Sequence, residues 1–383
     1  MRINRKGANR IASGHPWIFS SDVVDRGEAG DGEAVLVIDP KSAALGAAHY
    51  SSSSQITLRM LSDRPETIDR AFFLRRIAQA EAYRKRVVTG SEAYRLVHGE
   101  GDQLPGLVID RYGDCFTVQT LDQGMDRAKD EIVSCLEELF APRGIVERND
   151  VAVRKREALP LQSGVLAGEV PEMVAVEMNG LKLHADLLHG QKTGIFLDQR
   201  ENYAAAARYG HGRALDCFTS TGGFALHLAA HCESVEAVDS SEAALRVARL
   251  NSDANGIGNV ELREADVFQL LAGYAAARRR FDMVVLDPPA FAKTRQNLEA
   301  AAGGYREINR RALELLPTGG ILVTCSCSHH LSEAMLLEIV ASASLDTGKK
   351  LRVVERRMQA QDHPVLLTVP ETLYLKCLIL ELI

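Results

Sequence analysis

With 383 residues, 46% of them apolar and 25% charged, the chain can bury the cores of two or three domains of roughly 100 to 200 residues each, and no run approaches the ~18 apolar residues of a membrane span. A net charge of −6 excludes a protein that coats nucleic acid indiscriminately, while allowing local basic patches. The N-terminal MRINRKGANRIASGHPW has no apolar stretch of the secretory kind, and the seven cysteines show neither CxxC pairs nor zinc-ligand spacing, so a cytoplasmic chain without disulfides or structural metal is expected.

Residues 1–65 carry short alternating strands (EAVLVID, AALGAAHY, QITLRML) between Gly, Ser and Asp clusters, the pattern of a small β-barrel or sandwich. Here His15, Pro16 and Trp17 are expected to pack the barrel. Pro65 then opens a helical stretch, TIDRAFFLRRIAQAEAYRKRVV, whose apolar positions recur every three or four residues. Through residues 66–190 strands (LPGLVIDRYG, CFTVQTL, GIVERND, MVAVEMNGLKLHADL) mix with the helix DRAKDEIVSCLEELF, giving a central α+β domain. From 191 to 383 strands and helices alternate strictly, and the chain closes on LRVVERRM and TLYLKCLILELI with no evident helix between them. That is an α/β, doubly wound, Rossmann-like sheet with an antiparallel last strand, similar to the class I methyltransferase fold.

Asp216, Asp239, Asp266, Asp287 and Cys327 each fall where an apolar run gives out, so they are expected along one carboxyl edge of the sheet, where ligands bind. In Asp216-Cys217-Phe218-Thr219-Ser220-Thr221-Gly222-Gly223, glycines at the first turn allow close backbone approach, and the following helix start offers N–H groups to a carboxylate. The turn is not G-x-G-x-x-G, so a pyrophosphate fits poorly. Asp239, 23 positions after Asp216, can take both hydroxyls of a ribose. Asp266, followed by Val267 and Phe268, can accept from an adenine amino group. Singly, these are a tight turn and helix caps; in this order they describe S-adenosyl-L-methionine as tail, ribose and base.

Asp287-Pro288-Pro289-Ala290-Phe291 cannot extend a ladder and must leave the sheet as a stiff loop, with a carboxylate and an aromatic face able to hold a planar base. Similar loops serve methyltransferases acting on exocyclic amines of guanine or adenine. Thr324-Cys325-Ser326-Cys327-Ser328 favours another chemistry, because a thiolate adding to C6 of cytosine makes C5 able to take a methyl group. Cys325 and Cys327 would share a face of a regular strand, with Cys327 nearer the edge. Arg75, Arg76, Arg84, Lys85 and Arg86, the run Arg154-Lys155-Arg156 and the run Arg278-Arg279-Arg280 are candidate phosphate contacts, of which one is expected to serve. A non-enzymatic RNA-binding factor is the third alternative.

The segment from His189 to Arg200 (HGQKTGIFLDQR), with DCFTSTGGF, DPPAFAK and SCS, resembles the RlmI family of 23S ribosomal RNA cytosine-5 methyltransferases. RKGANRIASGHPWIFSSDV resembles that family's PUA domain, and GEGDQLPGLVIDRYGD with VAVRKRE its central domain. The resemblance implies Cys327 as nucleophile, with Asp287 near the target base or sulfonium. It implies Arg200 toward the cofactor carboxylate, Phe196, Thr221 and Gly222 around the cofactor, Asp239 on the ribose, and Asp266 and Val267 at the adenine. Pro288, Pro289 and Phe291 would hold the base. No metal is implied; the partner is large-subunit ribosomal RNA, with a homodimer allowed and no membrane. Two departures stand out: Cys325 replaces a usual bulky apolar residue, and Tyr203 follows Asn202 where a basic residue is common. As in the family, no second cysteine precedes the Pro-Pro loop, so the group removing the C5 proton is unassigned.

Overall fold

The computed structural model describes residues 1–190, 192–291 and 297–383. Gln191 and the Ala292-Lys293 end of the Pro-Pro motif lie outside the described residues. The chain divides into two compact units, one comprising 1–177, 185–195 and 361–372, the other 178–184, 196–360 and 373–383.

In the first unit the N-terminal residues form one six-stranded sheet, with Trp17–Phe19 at one edge and Val23–Asp25 at the other, over a core of Ile3, Ile18, Val37, Leu58 and Met60. A helix not legible in the apolar pattern, Arg5–Ala12, is capped by Asn4, whose side chain accepts from the Gly7 amide. The indole N–H of Trp17 donates to Glu100 at 2.8 Å, beyond the N-terminal sheet. The long helix starts at Arg70 rather than at Pro65, because Asp69 supplies the N-cap. It packs with a five-stranded sheet through Phe72, Ile77, Leu96, Phe116 and Val118.

Burial removes Arg84 and Arg154 from the candidate phosphate contacts. Arg84 is 1% exposed, with its guanidinium on Asp102 and on the carbonyls of Arg95 and Asp362. Arg154 is fully buried against Asp126 and the Pro160 carbonyl. Arg279 pairs with the buried Glu236 at 3.0 Å. Arg84 and Arg154 are thus structural, since a buried guanidinium needs acceptors around it, whereas Arg279 stays partly exposed.

The second unit is built on a seven-stranded sheet. Its strands are β1 (Arg213–Cys217), β2 (Ser234–Asp239), β3 (Val260–Glu264), β4 (Met283–Leu286), β5 (Ile321–Ser326), β6 (Leu351–Met358) and β7 (Lys376–Leu382). The helices are α1 (Arg200–Ala207), α2 (Gly223–Ala229), α3 (Glu242–Ala254), α4 (Val267–Ala276), α5 (Leu298–Leu315) and α6 (Glu333–Asp346). The order is β3-β2-β1-β4-β5-β7-β6, with β1 to β5 parallel and β7 antiparallel to both neighbours. Continuous apolar runs such as MVVL suit strands covered on both faces. The order reverses between β1 and β4, which puts a crevice at their carboxyl ends.

Candidate active site

The expected edge forms. Asp216 lies in β1 one residue before its end, Asp239 closes β2, Asp266 follows β3 by two residues, and Asp287 and Cys327 immediately follow β4 and β5. The turn after β1 is strained: Phe218 and Ser220 have φ of 65° and 51°, and Gly222 has 88°. Positive φ at a bulky aromatic persists only where surroundings over-determine it, and such positions cluster at functional sites. Asp239 is one such determinant. Its Oδ2 accepts the Ser220 amide and its Oδ1 the Ser241 amide, both at 2.9 Å.

Asp216 is buried, and its Oδ2 accepts from the Thr219 hydroxyl at 2.6 Å and the Ala225 amide at 3.0 Å. The helix-start amide expected to be open to a ligand is therefore held by the chain's own carboxylate. Oδ1 of Asp216 has no hydrogen-bond partner among the described residues. Burial, with Asp287 and Asp239 nearby, pushes this carboxyl up to about 7. The folded state therefore holds its proton longer than the unfolded chain, and the group's contribution to stability falls as pH rises from about 4 to about 7. Asp216→Asn should gain on the wild type across that window, by on the order of 2 to 4 kcal/mol at most. Thermal unfolding at both ends of the window checks this; an equal difference at the two ends would mean that Asp216 ionises like an exposed carboxylate.

Tyr203, flagged in the sequence only as a departure, turns out to sit under this turn. Its ring meets Phe224 edge-on at 4.7 Å, its hydroxyl donates to the Phe196 carbonyl at 3.4 Å, and burial beside Asp287, Asp198 and Asp216 raises its pKa well above normal. A Cβ on Gly223 would come within 2.4 Å of the Tyr203 ring. Gly223→Ala should therefore cost about 1 to 3 kcal/mol by overpacking, read as a lowered unfolding midpoint; an unchanged midpoint would show the tyrosine free to move aside.

The remaining candidates divide. Arg200 is 2% exposed and contacts Glu201 at 3.4 Å, while Phe196 and Thr221 are half-buried. Asp266 is exposed and caps α4 through the Gln269 amide, and the Val267 side chain lies in the core, so what Val267 can offer a ligand is its backbone. Pro288 is buried and Pro289 exposed. Phe291 does not stand free, since its ring packs on Tyr305 at 4.7 Å and Phe268 at 5.9 Å.

The two cysteines separate sharply. β5 ends at Ser326, so the alternation that would align them does not reach Cys327. Cys325 is fully buried opposite Cys377, and burial raises its pKa well above normal. Cys327 is partly exposed, whereas the other six cysteines are buried. On either side of it, Ser326 and Ser328 hold the Tyr305 hydroxyl at 2.9 and 3.2 Å. No group of three or more metal-ligating side chains occurs among the described residues.

The acidic carboxyl edge lies at the switch point of the sheet, and the family model for S-adenosylmethionine-dependent methyltransferases matches residues 113–380, with a PUA-like domain at 1–63, so the chain is of that class. The chain is 43% identical over 371 residues to ribosomal RNA large subunit methyltransferase I of Klebsiella pneumoniae, covering 94% of this chain and 93% of that one. It is 44% identical over 374 residues to the protein of the same name from Shewanella amazonensis, covering 95% and 94%. It belongs to the family of ribosomal RNA large subunit methyltransferase I. A solved structure assigned as a SAM-dependent methyltransferase from Streptococcus mutans aligns with a TM-score of 0.84 at 21% identity, over 100% of this chain and 99% of that one, a likeness of fold. Another at the same score and identity is complexed with SAH.

The residues present fit S-adenosylmethionine. A buried acceptor without a protein partner at Asp216 suits a cationic group, and a carboxylate at the end of β2 with both oxygens ordered by backbone amides suits a diol.

Proposed function

We propose that the protein methylates C5 of a cytosine in 23S ribosomal RNA, through a covalent adduct with Cys327. The observation that carries this reading is the placement of Cys327, the one partly exposed cysteine, immediately beyond β5 and beside the strand that delivers Asp287. The relatives named ribosomal RNA large subunit methyltransferase I support the choice of RNA.

Bound S-adenosylmethionine supplies an electrophilic methyl group. Asp216, with Arg200, Phe196, Thr221 and Gly222, holds its amino-acid part, Asp239 the ribose, and Asp266 with the Val267 backbone the adenine. Asp287 and the Pro288-Pro289-Phe291 loop orient the base. The Cys327 thiolate adds to C6, which makes C5 nucleophilic; loss of the C5 proton after methylation lets the adduct collapse and returns the thiol. Residues 1–65 serve as the RNA-grasping domain, 66–190 as the central domain and 191–383 as the catalytic domain. A ribosomal RNA substrate supports a cytoplasmic protein; separately, no helix among the described residues is long and apolar enough to cross a membrane. A homodimer is compatible with this reading and would be seen by sedimentation velocity.

Incubating the purified protein with S-adenosylmethionine and large-subunit RNA from cells lacking the gene tests the reaction. Nucleoside mass spectrometry should find new 5-methylcytidine. A methylated purine with cytidine untouched would transfer the assignment to amine methylation, and no methylation with no cofactor binding would leave an RNA-binding factor.

A further inference from the structure

Lys376 opens β7 directly opposite Ser326, the last residue of β5. A lysine at a strand end ordinarily runs its ammonium out to water. This one is 5% exposed, and its Nζ donates to the carbonyls of Ser328 at 2.7 Å and Tyr374 at 2.8 Å. Register fixes the lysine against residue 326 and the hydrogen bond ties its nitrogen to residue 328, so one amine brackets Cys327. Two carbonyls take two of the three N–H groups of an ammonium, or both of a neutral amine, leaving one position on nitrogen that is either a proton or a lone pair. Burial pulls this amine down to about 8, against the charge of Cys327, which acts on it in the opposite sense. Among the described residues, Tyr305 on α5 also feels the charge of Cys327, Asp287 follows the neighbouring β4, and His329 lies two residues on, its ring 5.4 Å from that of Tyr374.

We infer that Lys376 is the proton acceptor and charge partner of Cys327, an assignment that rests on Cys327 being the nucleophile. The neutral amine takes the thiol proton: the S–H bond breaks, an N–H bond forms, and the ammonium keeps its other two N–H groups on the Ser328 and Tyr374 carbonyls. The electron pair left on sulfur is the one that adds to C6, and it returns to sulfur when the adduct collapses. An opposite charge close to a thiol lowers its pKa by about one unit or more.

Alkylation of Cys327 by iodoacetamide in the full chain, followed by peptide mass spectrometry against pH, reads this coupling without cofactor or RNA. In Lys376→Met the midpoint should rise by about one pH unit, with roughly tenfold slower alkylation near neutrality. Lys376→Arg keeps the cation but cannot take a proton, so it should keep the alkylation midpoint near that of the wild type while slowing methyl transfer. Coincident profiles for wild type and Lys376→Met would overturn the assignment. Should the methionine variant not fold, the reciprocal measurement serves: the ¹³Cε resonance of Lys376 should titrate at lower pH in Cys327→Ser than in the wild type, and identical titrations would equally overturn it. Methyl transfer by Cys327→Ala separates the two claims. Activity there removes the nucleophile, whereas an inactive Cys327→Ala with unshifted alkylation in Lys376→Met removes the lysine alone.

Discussion

Cys327→Ala is expected to lower methyl transfer by roughly three orders of magnitude or more while leaving cofactor binding intact, because the base would lose the nucleophile that activates C5. Cys325→Ala should keep near-normal activity and lose about 1 to 2 kcal/mol of stability, since its sulfur is fully buried opposite Cys377. RNA carrying 5-fluorocytidine sharpens the contrast. Fluorine at C5 cannot leave as a proton, so the wild type and Cys325→Ala should form an adduct that survives denaturation, and Cys327→Ala should form none. An adduct that persists in Cys327→Ala and vanishes in Cys325→Ala would put the chemistry on the buried cysteine. Full methylation by both variants would end the covalent reading.

Asp239→Ala should weaken S-adenosylhomocysteine binding by about one to two decades, the worth of hydrogen bonds to a charged acceptor. The same substitution frees the Ser220 and Ser241 amides, so part of the loss comes through the turn that carries Thr221 and Gly222. Asp239→Asn, which can still accept from one amide, should fall between the two proteins. Calorimetry on variants with normal unfolding midpoints gives the comparison, and unchanged affinity in Asp239→Ala would place the ribose away from β2.

The sheet was legible because parallel strands covered on both faces leave unbroken apolar runs, and because polar residues abruptly end them: Asp239, Asp287 and Cys327 all mark strand ends correctly. Side chains whose partners are distant in sequence were not legible. Lys376 in TLYLKCLILELI reads as a solvated charge, and only the pairing of β7 with β5 sets it opposite Ser326, with its amine on the Ser328 carbonyl. Arg84 and Arg154 sit in basic runs that look exposed, and their acceptors, Asp102 and Asp126, lie on other elements. Tyr203 likewise gives no sign in sequence that it presses on Gly223; a glycine that the turn geometry alone did not require was the available clue. The alternation rule failed for Cys325 and Cys327 because the strand stopped one residue short of the second.

The most direct measurement is bisulfite sequencing of 23S ribosomal RNA from cells with and without the gene. Cytosine-5 methylation predicts one cytosine that resists conversion only when the gene is present, and restoration of resistance by wild-type protein but not by Cys327→Ala. Identical conversion at every cytosine in the two strains would contradict it.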